Sequence, residues 1–139
     1  DYPANDIRGR LHAGMPPMSA IMAAPVALDV HAQLGGSAAK GARLAWLRNY
    51  WVQRVADLPG LQLMSPLVGD TALAAFMIDG MHARDVQAAL LERFGVFTVE
   101  RPVGEASLVR ATVALTTTVE ELDRLVEGLT VLTREAAGA

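Results

Sequence analysis

Arg110 interrupts an otherwise apolar run, Val109-Arg110-Ala111-Thr112-Val113, and Thr118-Val119-Glu120-Glu121-Leu122-Asp123 follows closely with the look of a helix start. A guanidinium rooted on a strand presents a planar fork of donors that matches a carboxylate two bonds at a time. A capped helix directly behind it supplies a rigid mount. The same pattern also describes an edge-strand arginine in a surface ion pair. Because most charged strand residues are solvated, the local pattern by itself favours that plainer reading, and the rest of the chain has to shift the balance.

Other residue types that do chemistry are arranged less suggestively. His12, His31 and His82 are too far apart for a local ligand motif, and Asp29 and His31, two positions apart, point to different faces of a helix. No metal is expected. Ser19, Ser65 and Ser107 have no neighbouring base, and no Gly-x-Ser-x-Gly elbow is present. Glu120 and Glu121 diverge by roughly 100° on a helix and are explained by capping and the helix dipole rather than by acid and base work. Trp46, Tyr50 and Trp51 fall at spacings that suit core or interdomain packing better than a binding face.

Composition narrows the classes further. The chain has 139 residues, 52% of them hydrophobic, with a net charge of −3, which suits one compact domain with a real core. Its 12 basic residues are scattered without interleaved aromatics, so no nucleic-acid footprint is present. With no cysteine there is no disulfide framework, thiolate nucleophile or thiolate metal site. The apolar stretch from Met15 to Leu34 is broken by Pro25, Asp29 and His31 and reads as a packed helix, not a membrane span. No signal peptide is visible and a cytoplasmic location is expected, although the chain begins at Asp1 without methionine and an upstream targeting sequence stays open.

The elements that must position Arg110 can be read from periodicity and punctuation. Residues 1 to 15 form an extended lead-in, and a helix runs from Pro16 to Leu34, stopped by Gly35-Gly36. Ser37 caps a second helix, with Leu44, Leu47, Trp51, Val55 and Leu58 on one face and Pro59-Gly60 at its end. Short strands are expected at 61–64 and 72–78, then a helix over 83–94 closed by Gly95. Strands at 96–100 and 107–115 follow, joined by a hairpin-like loop from Arg101 to Ala106. The last helix opens with Thr118 and Glu121 in capping-box spacing and buries Val119, Leu122, Leu125, Val126, Leu129 and Leu132. This order predicts an α+β fold: a small, mostly antiparallel sheet with helices packed on one face, preceded by two helices.

The string from Val109 to Val126 resembles the closing signature of the class V aminotransferase group of fold type I pyridoxal-phosphate enzymes. In that group a V/L-R-I/V-S strand is followed by a Tyr-Asn-Thr-like turn and a helix of the type E-E-I-D-R-L-V. Arg10-Leu11-His12-Ala13-Gly14-Met15-Pro16 resembles its R-x-x-x-G-T-P segment, Leu58-Pro59-Gly60-Leu61 its L-P-G-V, and Phe94-Gly95-Val96-Phe97 its x-G-I-x. The pieces are individually unspecific, but they cover nearly the whole chain in the right order. The group includes cysteine desulfurases, selenocysteine lyases, isopenicillin N epimerase-like proteins, kynureninases and some transaminases.

The resemblance implies that residues 1–36 are a lead-in and linking helix toward a large domain not present in the chain, and that 37–139 are the C-terminal small α+β domain. It implies pyridoxal 5'-phosphate as cofactor, an amino-acid substrate whose carboxylate Arg110 grips, and a homodimer. It also implies cofactor contact at Gly14 and Met15, with His12 as a neighbour of the active site. Met15 stands where the group usually has a threonine that donates to the cofactor phosphate. A thioether cannot donate, so such a contact would fall to the backbone N–H. Thr116 and Thr117 replace the usual Tyr-Asn pair. The single lysine, Lys40, lies at a helix start, where an exposed side chain is expected; the Schiff-base lysine of the resembled group lies upstream. The fragment is therefore not expected to be active alone. The alternatives are an independent non-catalytic regulatory or interaction module of similar topology, and two separate chains assembling into one enzyme.

Overall fold

The computed structural model describes residues 6, 7, 17–104 and 106–138. His12, Gly14 and Met15 lie outside the described residues. The chain divides into two compact units, residues 1–37 and 38–139.

In the first unit, α1 (Met18–Gln33) follows Pro17, which ends the lead-in with extended backbone. Pro25 lies inside this helix, and none of its residues is buried. Its large apolar side chains, among them Ile21, Met22, Val26 and Leu28, are exposed.

The second unit holds most of α2 (Gly36–Val55), then β1 (Leu61–Leu63), β2 (Leu73–Ile78), α3 (Ala83–Phe94), β3 (Val99–Val103), β4 (Ala106–Thr112) and α4 (Val119–Ala137). The four strands form one sheet in the order β1-β2-β4-β3, with every neighbouring pair antiparallel. The expected α+β architecture is the observed one.

Strand alternation divides the sheet into two unlike faces. Leu61, Ala74, Phe76, Ile78, Val109 and Ala111 are buried on one of them. α3 packs against β2, β3 and β4, while α4 packs against α3 and β2. α2 joins the same side, where Trp51 meets Phe76 edge to face at 6.1 Å between ring centroids. Leu47, Trp51, Val52 and Val55 of α2 are completely buried, as their helical spacing requires. Burying one such side chain stabilises the fold by about 1.5–3 kcal/mol. At Gly128 of α4 an added Cβ would come within 2.8 Å of Leu90 and 3.1 Å of Phe94, so the absent side chain is what lets α3 lie this close.

Helix boundaries follow the chemistry of their caps. Thr118 Oγ1 accepts from the Glu121 N–H, and Glu121 Oε2 accepts from the Thr118 N–H at 2.9 Å, completing the capping box at the start of α4. Gly95 ends α3 in the left-handed region at φ 67°. There the Gly95 N–H bonds the Leu91 carbonyl and the Val96 N–H that of Leu90, so carbonyls of the last turn are paired as the chain leaves the helix.

Several boundaries differ from expectation for identifiable reasons. The second helix ends at Val55, and Leu58 packs against the core from the turn that follows. β3 begins at Val99, because the Val96 N–H is engaged by the helix cap. The six-residue connection expected from Arg101 to Ala106 is much tighter: Val103 pairs with Ala106, and the chain turns at Gly104 with φ +61°. Pro102 suggests a loop, yet β3 is an edge strand, where a missing N–H is tolerated. β4 stops at Thr112, and Leu115 is exposed in the turn that precedes α4.

Candidate functional site

Arg110 lies on β4, an interior strand, paired with Ala75 of β2 on one side and Val99 of β3 on the other. Its neighbours Val109 and Ala111 point into the helix-covered core, so the guanidinium projects from the opposite sheet face. No helix of residues 38–139 packs on that face. The side chain is half-buried. Its Nε is shut off from solvent and has no hydrogen-bond partner. Leaving a buried donor unpaired costs about 1–3 kcal/mol, and a carboxylate is the group that satisfies a guanidinium edge with two parallel bonds.

The strand is mounted from behind, as the sequence pattern suggests. After β4 the chain turns at Ala114–Thr117, where Thr117 Oγ1 accepts from the Ala114 N–H at 2.9 Å. Arg43 of α2 donates to the Thr117 carbonyl at 3.2 Å, and Tyr50 donates through its hydroxyl to Asp123 of α4 at 2.8 Å. That bond to Asp123 is the main reason the Tyr50 hydroxyl titrates above its usual range. Trp51 is core, whereas Trp46 remains half exposed under Arg43, 5.1 Å from the ring centroid. The aromatic residues of α2 thus divide between packing and a surface strut. An open cleft flanks this junction, lined by Phe97, Thr112, Thr117, Glu121 and Arg124. Arg110 is outside the cleft, but Thr112, two residues along β4, borders the face that Arg110 occupies.

The remaining candidates are dispersed. His82 caps α3 by position without a side-chain capping bond, and His31 of α1 bonds Ser37 at 3.3 Å. Among the described residues no group of three or more His, Cys, Asp or Glu is arranged to hold a metal, and no helix is long and apolar enough to cross a membrane. Lys40 lies early in α2 and is half-buried. Glu120 and Glu121 have the first-turn roles expected of them.

Sequence reasoning missed Arg48. It is 1% exposed, donating to Asn49 Oδ1 at 2.8 Å, to the Leu67 carbonyl at 3.0 Å and to the Pro66 carbonyl. Asn49 in turn brackets Gly69, its amide donating to the Gly69 carbonyl and its oxygen accepting from the Gly69 N–H, each at 3.0 Å. Together they tie down the loop between β1 and β2. A signal was present: Arg48 follows Leu44 by four residues and precedes Trp51 by three, which puts it on the apolar stripe.

Residues 1–125 match the family model described as Aminotransferase class-V. The chain belongs to that family. It is 32% identical over 129 residues to a cysteine desulfurase of Dickeya dadantii (strain 3937), covering 86% of this chain and 31% of that protein. It is 33% identical over 119 residues to an isopenicillin N epimerase of Streptomyces clavuligerus, covering 82% of this chain and 29% of that one. The cysteine desulfurase CsdA from Escherichia coli shares the fold with a TM-score of 0.67 at 23% identity, over 93% of this chain and 33% of CsdA. The class V chain thus spans about a third of the length of the relatives it matches.

Proposed function

We propose that this class V chain is the carboxylate-gripping C-terminal part of a pyridoxal-phosphate enzyme acting on an amino acid, with Arg110 as the substrate-carboxylate ligand. The observation that carries the reading is that Arg110, on an interior strand and on a face that no helix of residues 38–139 covers, makes no hydrogen bond or ion pair among the described residues, its buried Nε included. A cation held this way is fixed in position and has donors to spare, and a small carboxylate fits both conditions. Arg110 binds and orients the substrate and takes no part in proton transfer.

When bound, pyridoxal phosphate supplies the electron sink that the reaction needs. The Schiff-base lysine and the acidic partner of the cofactor ring come from residues outside this chain, so the 139-residue chain is not active alone. On the family resemblance, Gly14 and Met15 would contribute backbone N–H groups to hold the cofactor, and His12 would be a neighbour of the active site. The complete enzyme is a homodimer. Groups beyond this chain select among desulfuration, racemisation, β-elimination and transamination.

The test is Arg110→Ala in the full-length enzyme. Two charge-assisted bonds are worth about 3 kcal/mol, so kcat/KM should fall by about 100-fold or more. Cofactor absorbance should stay near normal, and Arg110→Lys should recover part of the loss. Unchanged turnover in Arg110→Ala would overturn the assignment.

A further inference from the structure

The sheet face that carries Arg110 carries a second guanidinium. In the β3–β4 register Val99 pairs with Arg110 and Arg101 pairs with Leu108. Directly paired residues share a face, so Arg101 projects from the same side as Arg110, displaced along the neighbouring strand. Such diagonal neighbours are rooted roughly 7–8 Å apart, well within the combined reach of two arginine side chains. Glu100, adjacent to Arg101 in the chain, pairs with Val109 and turns to the helix-covered side. There it meets Arg84 at 3.7 Å and accepts from Ser107 Oγ at 2.8 Å.

Neither arginine of the open face makes a hydrogen bond or ion pair among the described residues. Like charges at this spacing repel. The strand residues around them, Leu73, Ala75, Met77, Leu108, Val99 and Thr112, carry no charge that could offset the repulsion. The face therefore combines two cations with an apolar floor, and its described strand residues supply no anion.

We infer that Arg101 is a specificity-determining residue that reads a second anionic group on the ligand whose first carboxylate Arg110 holds, so the preferred substrate is an acidic amino acid. The inference rests on the carboxylate grip proposed above for Arg110. The two side chains have different tasks. Arg110 is half-buried on an interior strand and sets the position of the α-carboxylate; Arg101 is exposed on an edge strand, free to follow a side-chain carboxylate. Val99 and Leu108, half-buried between the two cations, give the intervening methylenes an apolar surface to lie on.

The experiment is calorimetric binding of L-glutamate against L-glutamine, and L-aspartate against L-asparagine, to the full-length enzyme and its variants. Each pair differs by one charge at nearly constant shape. Wild type should bind one of the acids about tenfold more tightly than its amide. Arg101→Ala should bring that ratio close to one without weakening the amide, and Arg101→Lys should keep part of it. Arg110→Ala should weaken acid and amide alike. A wild-type enzyme that does not prefer either acid, or an Arg101→Ala variant that keeps the preference, overturns the role of Arg101. If Arg110→Ala weakens neither ligand, the carboxylate grip itself fails, and that outcome is distinct from a lost effect at Arg101 alone.

Discussion

Two arginines of the unit 38–139 show what a buried cation can be for. Arg48, beneath the β1–β2 loop, is completely enclosed and donates to Asn49 and to the carbonyls of Pro66 and Leu67. Each has a buried Nε without a partner, but Arg110, on the open sheet face, is only half enclosed and makes no hydrogen bond or ion pair through its other nitrogens either. Burial alone would rank Arg48 as the more unusual residue. What separates them is where the terminal nitrogens go: those of Arg48 hold a loop in shape, whereas those of Arg110 engage none of the described residues. A guanidinium engaged by its own backbone is architecture, and one left unengaged is, on the function proposed above, a receptor.

The largest stability effect that would sharpen this contrast is expected at Arg48. Arg48→Met keeps most of the volume but strips donors from the Pro66 and Leu67 carbonyls, and should destabilise the protein by about 3 kcal/mol in a denaturant melt. A melt within error of wild type would overturn the loop-holding role of Arg48. Gly69→Ala acts on the same contact from the loop side, because its Cβ would sit 3.2 Å from the Arg48 Cζ. The expected loss is about 1 kcal/mol. Thr118→Ala, which removes one half of the capping box behind β4, should cost about 1 kcal/mol by the same measurement.

Arg110→Ala should not destabilise the protein by more than about 0.5 kcal/mol, because relief of the unpaired donor offsets the lost packing of the side-chain stem, even though it is the variant expected to lose most turnover. A large drop in its melting temperature would move Arg110 into the same class as Arg48. The smallest effect is expected at the exposed pair between α3 and α4, where Arg93 donates to both Glu135 oxygens at 2.7 and 2.8 Å. The hydrogen bond from Arg93 holds the Glu135 carboxyl below its ordinary value of 4.5. A depressed folded-state pKa contributes stability that is present above the ordinary value and fades as pH falls through the depressed one. Melts of wild type and Glu135→Gln should therefore differ slightly at neutral pH and converge in acid. A gap that widened toward acid would contradict the pairing.

Much of this was legible from residue order because local chemistry and tertiary demand agree. Helix α3 runs over Ala83–Phe94 with Gly95 closing it, and the Thr118 and Glu121 spacing gave the start of α4, since caps are settled by a few neighbouring residues. Strand limits were harder to read. Pro102 looks like a loop residue until β3 is known to be an edge, and that is a fact of strand order, not of sequence. Arg48 escaped because charge suggested surface, although its spacing placed it on the buried stripe. For Arg110 the residue type suggested a carboxylate ligand, but the sequence could not distinguish an interior strand from an edge or a satisfied guanidinium from an unsatisfied one.

The placement of β4 between β2 and β3 carries a further consequence. A side chain anchored there is held by backbone ladders on both flanks, so length changes in the hairpin or in the β1–β2 loop would alter the margins of the face and leave its central anchor where it is. If Arg110 is the carboxylate ligand proposed above, the margins of the face could be remodelled without disturbing the contact to the part that all amino acids have in common.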